Sequence, residues 1–173
     1  MSGEVSVTTF VPEDLEQLRR HLQESWLATY EPVFGSAIAQ DMVALLSDET
    51  LAGVVPQNDE TVLIARIQDT ILGCAVIAER HGTAYLWGVY VAPAWQRQGI
   101  GTLLVRRAVS VLEQARSVQA MVLIATDEAV RFYRSLGFSI DDEIGIDLTQ
   151  SFCAQAHVMT ASVPALKTAF GQR

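Results

Sequence analysis

The segment Gln96-Arg97-Gln98-Gly99-Ile100-Gly101-Thr102 places two glycines at the start of a periodic apolar pattern. The residues before it, up to Val91, have a strand-like composition, and the residues from Ile100 to about Ala115 predict a helix. A glycine turn between a strand and a helix lets backbone N–H groups approach an anion closely, and the helix dipole adds positive potential there. The segment therefore predicts a phosphate site. The segment alone is also compatible with a structural role, in which the glycines only allow a tight turn between the strand and the helix.

Two common phosphate motifs do not match this segment. A dinucleotide fingerprint needs a third glycine where the chain has Leu104, and no Gly-Lys-Ser/Thr follows as in a P-loop. The surroundings are basic in an otherwise acidic chain of net charge −8, because no Asp or Glu occurs between Arg80 and Leu112. This distribution favours a small anionic ligand, and the net charge argues against nucleic acid as the main partner.

A second motif lies between Thr126 and Phe138, where the spacing predicts a helix that Asp127 caps and Gly137 ends. Its apolar residues suit packing on a sheet. Tyr133 lies one step off this apolar stripe. For an isolated tyrosine, a half-buried ring with its hydroxyl in water is the ordinary interpretation.

Together, the segments Val91–Gly101 and Ala129–Phe138 resemble the GCN5-related N-acetyltransferases (GNAT). The matching patterns are Val-x-Pro-x-x-Gln-x-x-Gly-Ile-Gly and Ala-x-x-Phe-Tyr-x-x-x-Gly-Phe. The two motif regions cover roughly residues 84–140, and the order of the elements extends the resemblance over nearly the whole chain. It implies one acetyltransferase domain over residues 1–173, with acetyl-CoA as the donor.

The resemblance also implies roles for individual residues. Backbone amides of the glycine segment would hold the pyrophosphate of coenzyme A, and the preceding strand would pair with its pantetheine arm. The strand can also supply an N–H donor for the oxyanion. Tyr133 would lie near the thioester sulfur and protonate the leaving thiolate. The implied cofactor-binding residues are Val89, Tyr90, Val91, Arg97, Gln98, Gly99, Ile100, Gly101, Thr102 and Thr126.

Thr126 departs from the family pattern, since many members have Asn at this position. A hydroxyl can replace one hydrogen bond to coenzyme A, whereas the paired donor and acceptor of an amide are lost.

The base and the acceptor site follow less directly from the motifs. Glu31 and Glu79 are the candidate bases, and a chain of waters is the alternative to either. The expected acceptor is a primary amine of a small molecule or peptide. Some aromatic residues are expected either to form an apolar wall of the acceptor site or to pack in the core. These are Trp26, Tyr30, Phe34, Tyr85 and Trp87.

The element pattern predicts an α+β fold, with a mixed sheet of about seven strands and about four helices on its faces. The aromatic segment 26–34 is expected to connect two helices, and His21 to lie on a helix surface. The residues from Ala161 onward support no prediction.

Composition indicates the number of domains and the expected cellular location of the protein. Half of the 173 residues are hydrophobic, which fits one domain with a sizeable core. Met1–Glu4 does not resemble a signal peptide, and no apolar run is long enough to span a membrane. Cys74 and Cys153 are expected as reduced core thiols, so we expect a cytoplasmic protein without a bound metal. Members of the family often dimerise, which makes a homodimer an open expectation.

Two other functions remain open at this point. A non-catalytic acyl-CoA-binding module would explain the unassigned base and the missing Asn. A nucleotide-binding protein with an unusual glycine loop is the other alternative.

Overall fold

The structure, a computed structural model, describes residues 3–171 of the chain. Its strands are β1 (Ser6–Thr9), β2 (Glu60–Ile67), β3 (Thr70–Arg80), β4 (Thr83–Val91), β5 (Ser117–Leu123), β6 (Ser139–Thr149) and β7 (Phe152–Ser162). Its α-helices are α1 (Leu15–Phe34), α2 (Ser36–Ala44), α3 (Ile100–Ser110), α4 (Asp127–Ser135) and α5 (Val163–Gly171). The strands form one sheet in the order β1-β2-β3-β4-β5-β7-β6. The predicted α+β fold with seven strands is confirmed, with one helix more than predicted.

Both faces of the sheet are buried beneath helices. Alternate residues of β2 join different clusters: Leu63 and Ala65 pack with α3 and α5, whereas Val62 and Ile64 pack with α1 and α2. Because consecutive side chains of a strand point to opposite faces, the continuous apolar run of β2 fits a strand covered on both sides.

Strands β4 and β5 separate partway along the sheet. Their parallel pairing runs from Thr83 opposite Ser117 to Leu86 opposite Ala120, although β4 continues to Val91 and β5 to Leu123. A register shift of β4 against β3 occurs at the same level, next to Trp87. Bulges of this kind bend a strand and increase its twist. The result is a gap in the middle of the sheet with strand backbone on both sides.

The aromatic segment 26–34 is helical, so the prediction of a connection was wrong. Trp26, Tyr30 and Phe34 are spaced by four residues, which places them on one face of α1. Pro32 lies inside the helix, but only in its last turn, where the loss of one backbone hydrogen bond ends the helix instead of breaking it.

Three further expectations need correction. Helix α5 was missed, because it lies in the segment for which the pattern supported no prediction. Helix α3 ends at Ser110, five residues before the predicted end, because the following backbone turns toward the Glu79 carboxylate. Cys153 is exposed on β7, whereas Cys74 is in the core as expected.

Among residues 3–171, none of the helices is both long and apolar enough to cross a membrane.

Candidate active site

A cleft of about 1010 Å³ occupies the gap between β4 and β5. Its walls come from the second half of α1, the ends of both strands, the loop that leads into α3, and α4. A cavity of this size is typical of a site for a cofactor or an extended substrate.

The loop before α3 ends the cleft with a row of free backbone donors. Within residues 3–171, none of the N–H groups from Arg97 to Thr102 has a hydrogen-bond partner. The first bond of the helix is donated by the Leu103 N–H to the Gly99 carbonyl, at 2.9 Å. Arg97 and Gly99 both have left-handed backbone, with φ of 63° and 83°. These two reversals turn the chain into the helix and leave six consecutive N–H groups available for an anion.

Residues of this loop differ in whether they line the cleft. Arg97, Gly99, Gly101 and Thr102 line the cleft. The Gln98 amide instead donates to the Ala94 carbonyl at 3.0 Å, and Ile100 is buried in the core. Gln98 and Ile100 therefore offer the cleft only their N–H groups.

Gly101 has a packing role besides its place in the loop. A Cβ atom here would lie 3.1 Å from Cζ of Phe132, so the absence of a side chain lets α3 and α4 approach closely.

Strand β4 turns part of its backbone toward the gap. The Ala92 N–H donates to the Leu72 carbonyl on β3 at 2.8 Å. Because hydrogen-bonding directions alternate along a strand, the backbone groups of Val89 and Val91 face the opposite side, where β5 has moved away. Tyr90 differs from its neighbours, since its backbone pairs with Cys74 on β3 and only its side chain reaches the cleft.

His21 connects α1 to this strand. Its Nε2–H donates to the Tyr90 carbonyl at 3.1 Å, and the imidazole is buried, not on the helix surface as predicted. Burial lowers the pKa of His21, against smaller opposing effects of the Tyr90 carbonyl and Glu24. The neutral ring therefore fixes the distance between helix and strand.

Tyr133 projects from α4 into the cleft. Its ring is 7% exposed and packs edge-to-face against Phe132 and Phe138, with centroids 5.2 Å away in both cases. The hydroxyl has no hydrogen-bond partner among the described residues. Burial, with a smaller effect of nearby Tyr30, raises the pKa of Tyr133 well above its ordinary value. The phenol is thus a protonated donor that remains available to a ligand.

Thr126 also lines the cleft and begins α4. It is the N-cap, one residue earlier than the predicted Asp127. The hydroxyl donates to the Leu123 carbonyl at 2.7 Å, so only its lone pairs remain for a ligand.

The structure does not bring either candidate base to Tyr133. Glu31 is exposed near the end of α1 and does not line the cleft. Glu79 accepts hydrogen bonds from the backbone N–H groups of Glu113, Gln114 and Ala115. Burial alone would raise the pKa of Glu79, but these three donors and Lys167 outweigh it and lower the pKa below its ordinary value. The carboxylate therefore holds the loop after α3.

The aromatic wall is partly as predicted. Trp26 and Tyr30 of α1 and Trp87 of β4 line cavities of the site, and burial raises the pKa of Tyr30 to about 12. Phe34 packs against Phe152 instead, with centroids 5.2 Å apart, and Tyr85 lies outside the cleft.

Two buried donors on α1 were missed. Ser25 Oγ and Trp26 Nε1 have no hydrogen-bond partner among the described residues, although Ser25 is only 2% exposed and Trp26 8%. Since buried polar groups are nearly always paired, both are exceptions in this part of α1. A serine and a tryptophan in a helix carry no sequence signal of this kind.

Charge divides the cleft into two ends. The charged residues in its lining are Arg97, Asp127, Glu128 and Arg131, all from the loop before α3 or from α4. The end formed by α1 and Trp87 is lined by uncharged residues. No group of three metal-ligating side chains occurs within residues 3–171.

A family model described as the acetyltransferase (GNAT) family matches residues 15–138. Curated relatives include a protein named histone acetyltransferase TAP1 from Glycine max, 36% identical over 77 residues, which are 44% of this chain and 33% of that protein. Another is GCN5-related N-acetyltransferase 2, chloroplastic, from Arabidopsis thaliana, 38% identical over 74 residues, with 42% and 28% of the two chains covered. The chain thus spans about a third of the length of these relatives.

Solved structures share the fold over nearly the whole chain. PaiA N-acetyltransferase from Thermoplasma acidophilum, in complex with coenzyme A, matches with a TM-score of 0.78 and 21% identity, covering 92% of this chain and 99% of that one. The ribosomal-protein-S18-alanine N-acetyltransferase from Escherichia coli matches with a TM-score of 0.70 and 17% identity, covering 92% and 94%. At these identities the likeness concerns the fold.

Proposed function

Since the chain belongs to the acetyltransferase (GNAT) family, we propose that it transfers the acetyl group of acetyl-CoA to a primary amine of a small molecule or peptide. The transfer is direct, within a ternary complex of enzyme, donor and acceptor.

The observation that carries this proposal is the row of six unpaired N–H groups from Arg97 to Thr102 at one end of the cleft. A pyrophosphate needs several donors that converge on it, and these groups meet that need without a metal. The side chain of Arg97, the first residue of this row, adds a positive charge. Coenzyme A therefore fits the residues present, and its acetylated form, acetyl-CoA, would supply the reactive thioester.

The other cleft residues suit the remaining needs of the reaction. The amine nitrogen would bond to the carbonyl carbon of the acetyl group, and the carbonyl oxygen would take up negative charge. The carbon–sulfur bond would then break, with its electron pair leaving on the sulfur. Backbone N–H groups of Val89 and Val91 face the gap and can stabilise that oxygen. Tyr133 holds a proton next to the cleft and can give it to the departing sulfur.

We propose that water, and not a side chain, takes the proton of the amine. This rests on the position of Glu31 and Glu79 outside the cleft and on the uncharged lining of the end formed by α1. The reactive species is then the small neutral fraction of the amine in solution.

Two measurements test the proposed function. We expect calorimetry to detect acetyl-CoA binding, and thiol release from acetyl-CoA to increase on addition of amines from a broad panel. Tight acetyl-CoA binding without turnover on any amine or peptide would instead favour the non-catalytic acyl-CoA-binding module. Effective competition by ATP or NAD would favour a nucleotide-binding protein. The cytoplasmic location and the homodimer stay predictions.

A further inference from the structure

Exposed hydrophobic side chains gather at the uncharged end of the cleft. Among residues 3–171, six large hydrophobic side chains are 37–50% exposed, namely Val11, Val33, Leu45, Trp87, Val111 and Met121. Three of them, Val33, Trp87 and Met121, line the cleft and are called the apolar patch. A single exposed hydrophobic residue is ordinary, whereas three around one cavity are typical of a surface that binds an apolar group.

Trp87 and Met121 lie side by side on the face of the sheet that α1 covers. The last paired residues of the two strands, Leu86 and Ala120, both belong to the core cluster on the opposite face. Consecutive side chains of β5 alternate between the faces, so Met121 points to the side of α1. Trp87 lines a second cavity together with Trp26 of α1, which places its ring on the same side. Met121 is 50% exposed and Trp87 37%, although both strands lie inside the sheet.

The apolar patch is continuous with the part of the cleft where the chemistry is proposed. Trp87 precedes Val89 by two residues, about 7 Å along a strand, and Val89 presents its backbone to the gap. Val33 lies one turn beyond Tyr30 on α1. Burial has the larger effect on the pKa of Tyr133, but Tyr30 is close enough to raise it further. A group attached directly to the acceptor amine can therefore reach the patch.

The charged side chains around this end of the cleft are either paired or outside it. Arg80 stacks on the Trp87 ring at 4.8 Å, but two hydrogen bonds of 2.7 and 2.6 Å join its guanidinium to Asp59. Glu31 and Asp142 are exposed and do not line the cleft. A second charged group on the acceptor would therefore give up part of its hydration here without gaining a partner.

Building on the proposed function, we propose that the apolar patch binds an uncharged alkyl or aromatic group attached to the acceptor amine. The acceptor class is then a monoamine with a hydrophobic substituent, and diamines of the same length are disfavoured. The preference arises because the substituent and the patch remove each other's apolar surface from water. Val33, Trp87 and Met121 are specificity-determining residues and take no part in the chemistry.

The test is a series of linear alkylamines, from ethylamine to hexylamine, at saturating acetyl-CoA. These amines have nearly the same pKa, so chain length changes only the apolar surface that is buried. We expect kcat/KM to rise about two- to fourfold for each added methylene group. In 1,5-diaminopentane an ammonium replaces the terminal methyl group of hexylamine, and its kcat/KM should be at least about tenfold lower than that of hexylamine.

Met121→Gln tests the patch itself, because the substitution keeps the length of the side chain and makes its end polar. We expect the ratio of kcat/KM between hexylamine and ethylamine to fall at least about threefold. Met121 is 50% exposed, so the change should not disturb the fold. The matched control is Leu45→Gln, which should keep the wild-type ratio, since Leu45 is 43% exposed but does not line the cleft.

The assignment is overturned if kcat/KM does not rise with chain length, if 1,5-diaminopentane is preferred over hexylamine, or if both variants change the ratio equally. A second copy of the chain is the alternative occupant of the apolar patch. Sedimentation velocity decides between them, because a wild-type dimer that Met121→Gln converts to monomers would make the patch a subunit interface. Absence of turnover with every amine despite acetyl-CoA binding would reject the proposed function itself.

Discussion

The two ends of the cleft differ in the groups that they present. Under the proposed function, the end at Arg97–Thr102 binds acetyl-CoA and is the donor end, and the end formed by α1 and Trp87 binds the amine and is the acceptor end. At the donor end, the groups available to a ligand are backbone N–H groups of one continuous segment, Arg97–Thr102, left unpaired by two left-handed residues. At the acceptor end the lining consists of uncharged side chains from α1 and β4, which lie far apart in the sequence. Backbone N–H groups can bind the same phosphate group even when the side chains of the segment change. A side-chain pocket changes its specificity with each substitution. The donor end can thus stay common to a family while the acceptor end differs.

Tyr133 stands where the two ends meet, and its substitution should have the largest effect. We expect Tyr133→Phe to lower kcat about 100-fold, because a general acid typically contributes that much, while acetyl-CoA affinity changes little. Since burial raises the pKa of Tyr133, the wild type should show no alkaline loss of kcat below pH about 10.

Steady-state kinetics as a function of pH check this expectation, with Tyr85→Phe as the control because Tyr85 lies outside the cleft. Unchanged turnover and an unchanged pH profile in Tyr133→Phe would show that Tyr133 is not the acid.

A substitution at Gly88, which lines the cleft on β4, should affect the acceptor end alone. In Gly88→Ala the new Cβ displaces the Tyr90 ring toward the ligand space, so we expect the KM of the acceptor to rise about tenfold. Acetyl-CoA affinity, measured by calorimetry, should stay within about threefold, since the N–H cradle is unaffected.

The matched control is Gly145→Ala on β6, where a Cβ would meet only the Cys153 and Gln155 side chains, at 3.3 and 3.6 Å. Equal losses of donor and acceptor affinity in Gly88→Ala would show that the two ends are not separable.

Arg97 tests the donor end alone. We expect Arg97→Gln to weaken acetyl-CoA binding about three- to fivefold, a modest loss because the side chain is exposed and screened by solvent. The affinity should also depend less on salt than in the wild type. Acceptor preference should not change.

Arg106→Gln serves as the control, since Arg106 is exposed on α3 and does not line the cleft. If both variants weaken binding equally in calorimetry, net charge and not the position of Arg97 is responsible.

Glu79 should affect the stability of the protein and not the function of either end of the cleft. We expect Glu79→Gln to keep kcat within twofold but to lower the free energy of unfolding by about 1 kcal/mol, because one amide replaces a carboxylate that accepts three N–H groups. A pKa lowered in the folded state stabilises at neutral pH. The difference in stability from the wild type should therefore be complete above pH about 4.3 and disappear as the pH falls through the native pKa.

Urea unfolding between pH 2 and 7 measures this difference, with Glu113→Gln as a neighbouring control that leaves the three bonds intact. A large loss of kcat in Glu79→Gln with unchanged stability would instead indicate that Glu79 is the general base.

Sequence patterns predicted the elements that are regular over many residues. The start of α3 was predicted at Ile100, and strands were predicted over 61–67, 71–79 and 84–91, each within one residue of β2, β3 and β4 at either end, since periodic burial is visible in the chain itself. Where prediction failed, a distant contact decided the outcome. Helix α3 ends early because of Glu79, and Trp26–Phe34 is helical because its aromatic residues pack on Tyr90, Leu148 and Phe152.

The sequence by itself determined the donor end, because Gln96–Thr102 and Thr126–Phe138 are continuous segments whose local geometry suffices to present free N–H groups and a helix bearing Tyr133. Only the tertiary structure decided the acceptor end. There the separation of β4 from β5, the Tyr90 ring over Gly88 and the packing of Trp26 on Tyr90 bring together α1, β4 and β5, which lie far apart in the sequence. No local pattern records their meeting, since a side chain's hydrogen-bond partners depend on which distant elements pack around it.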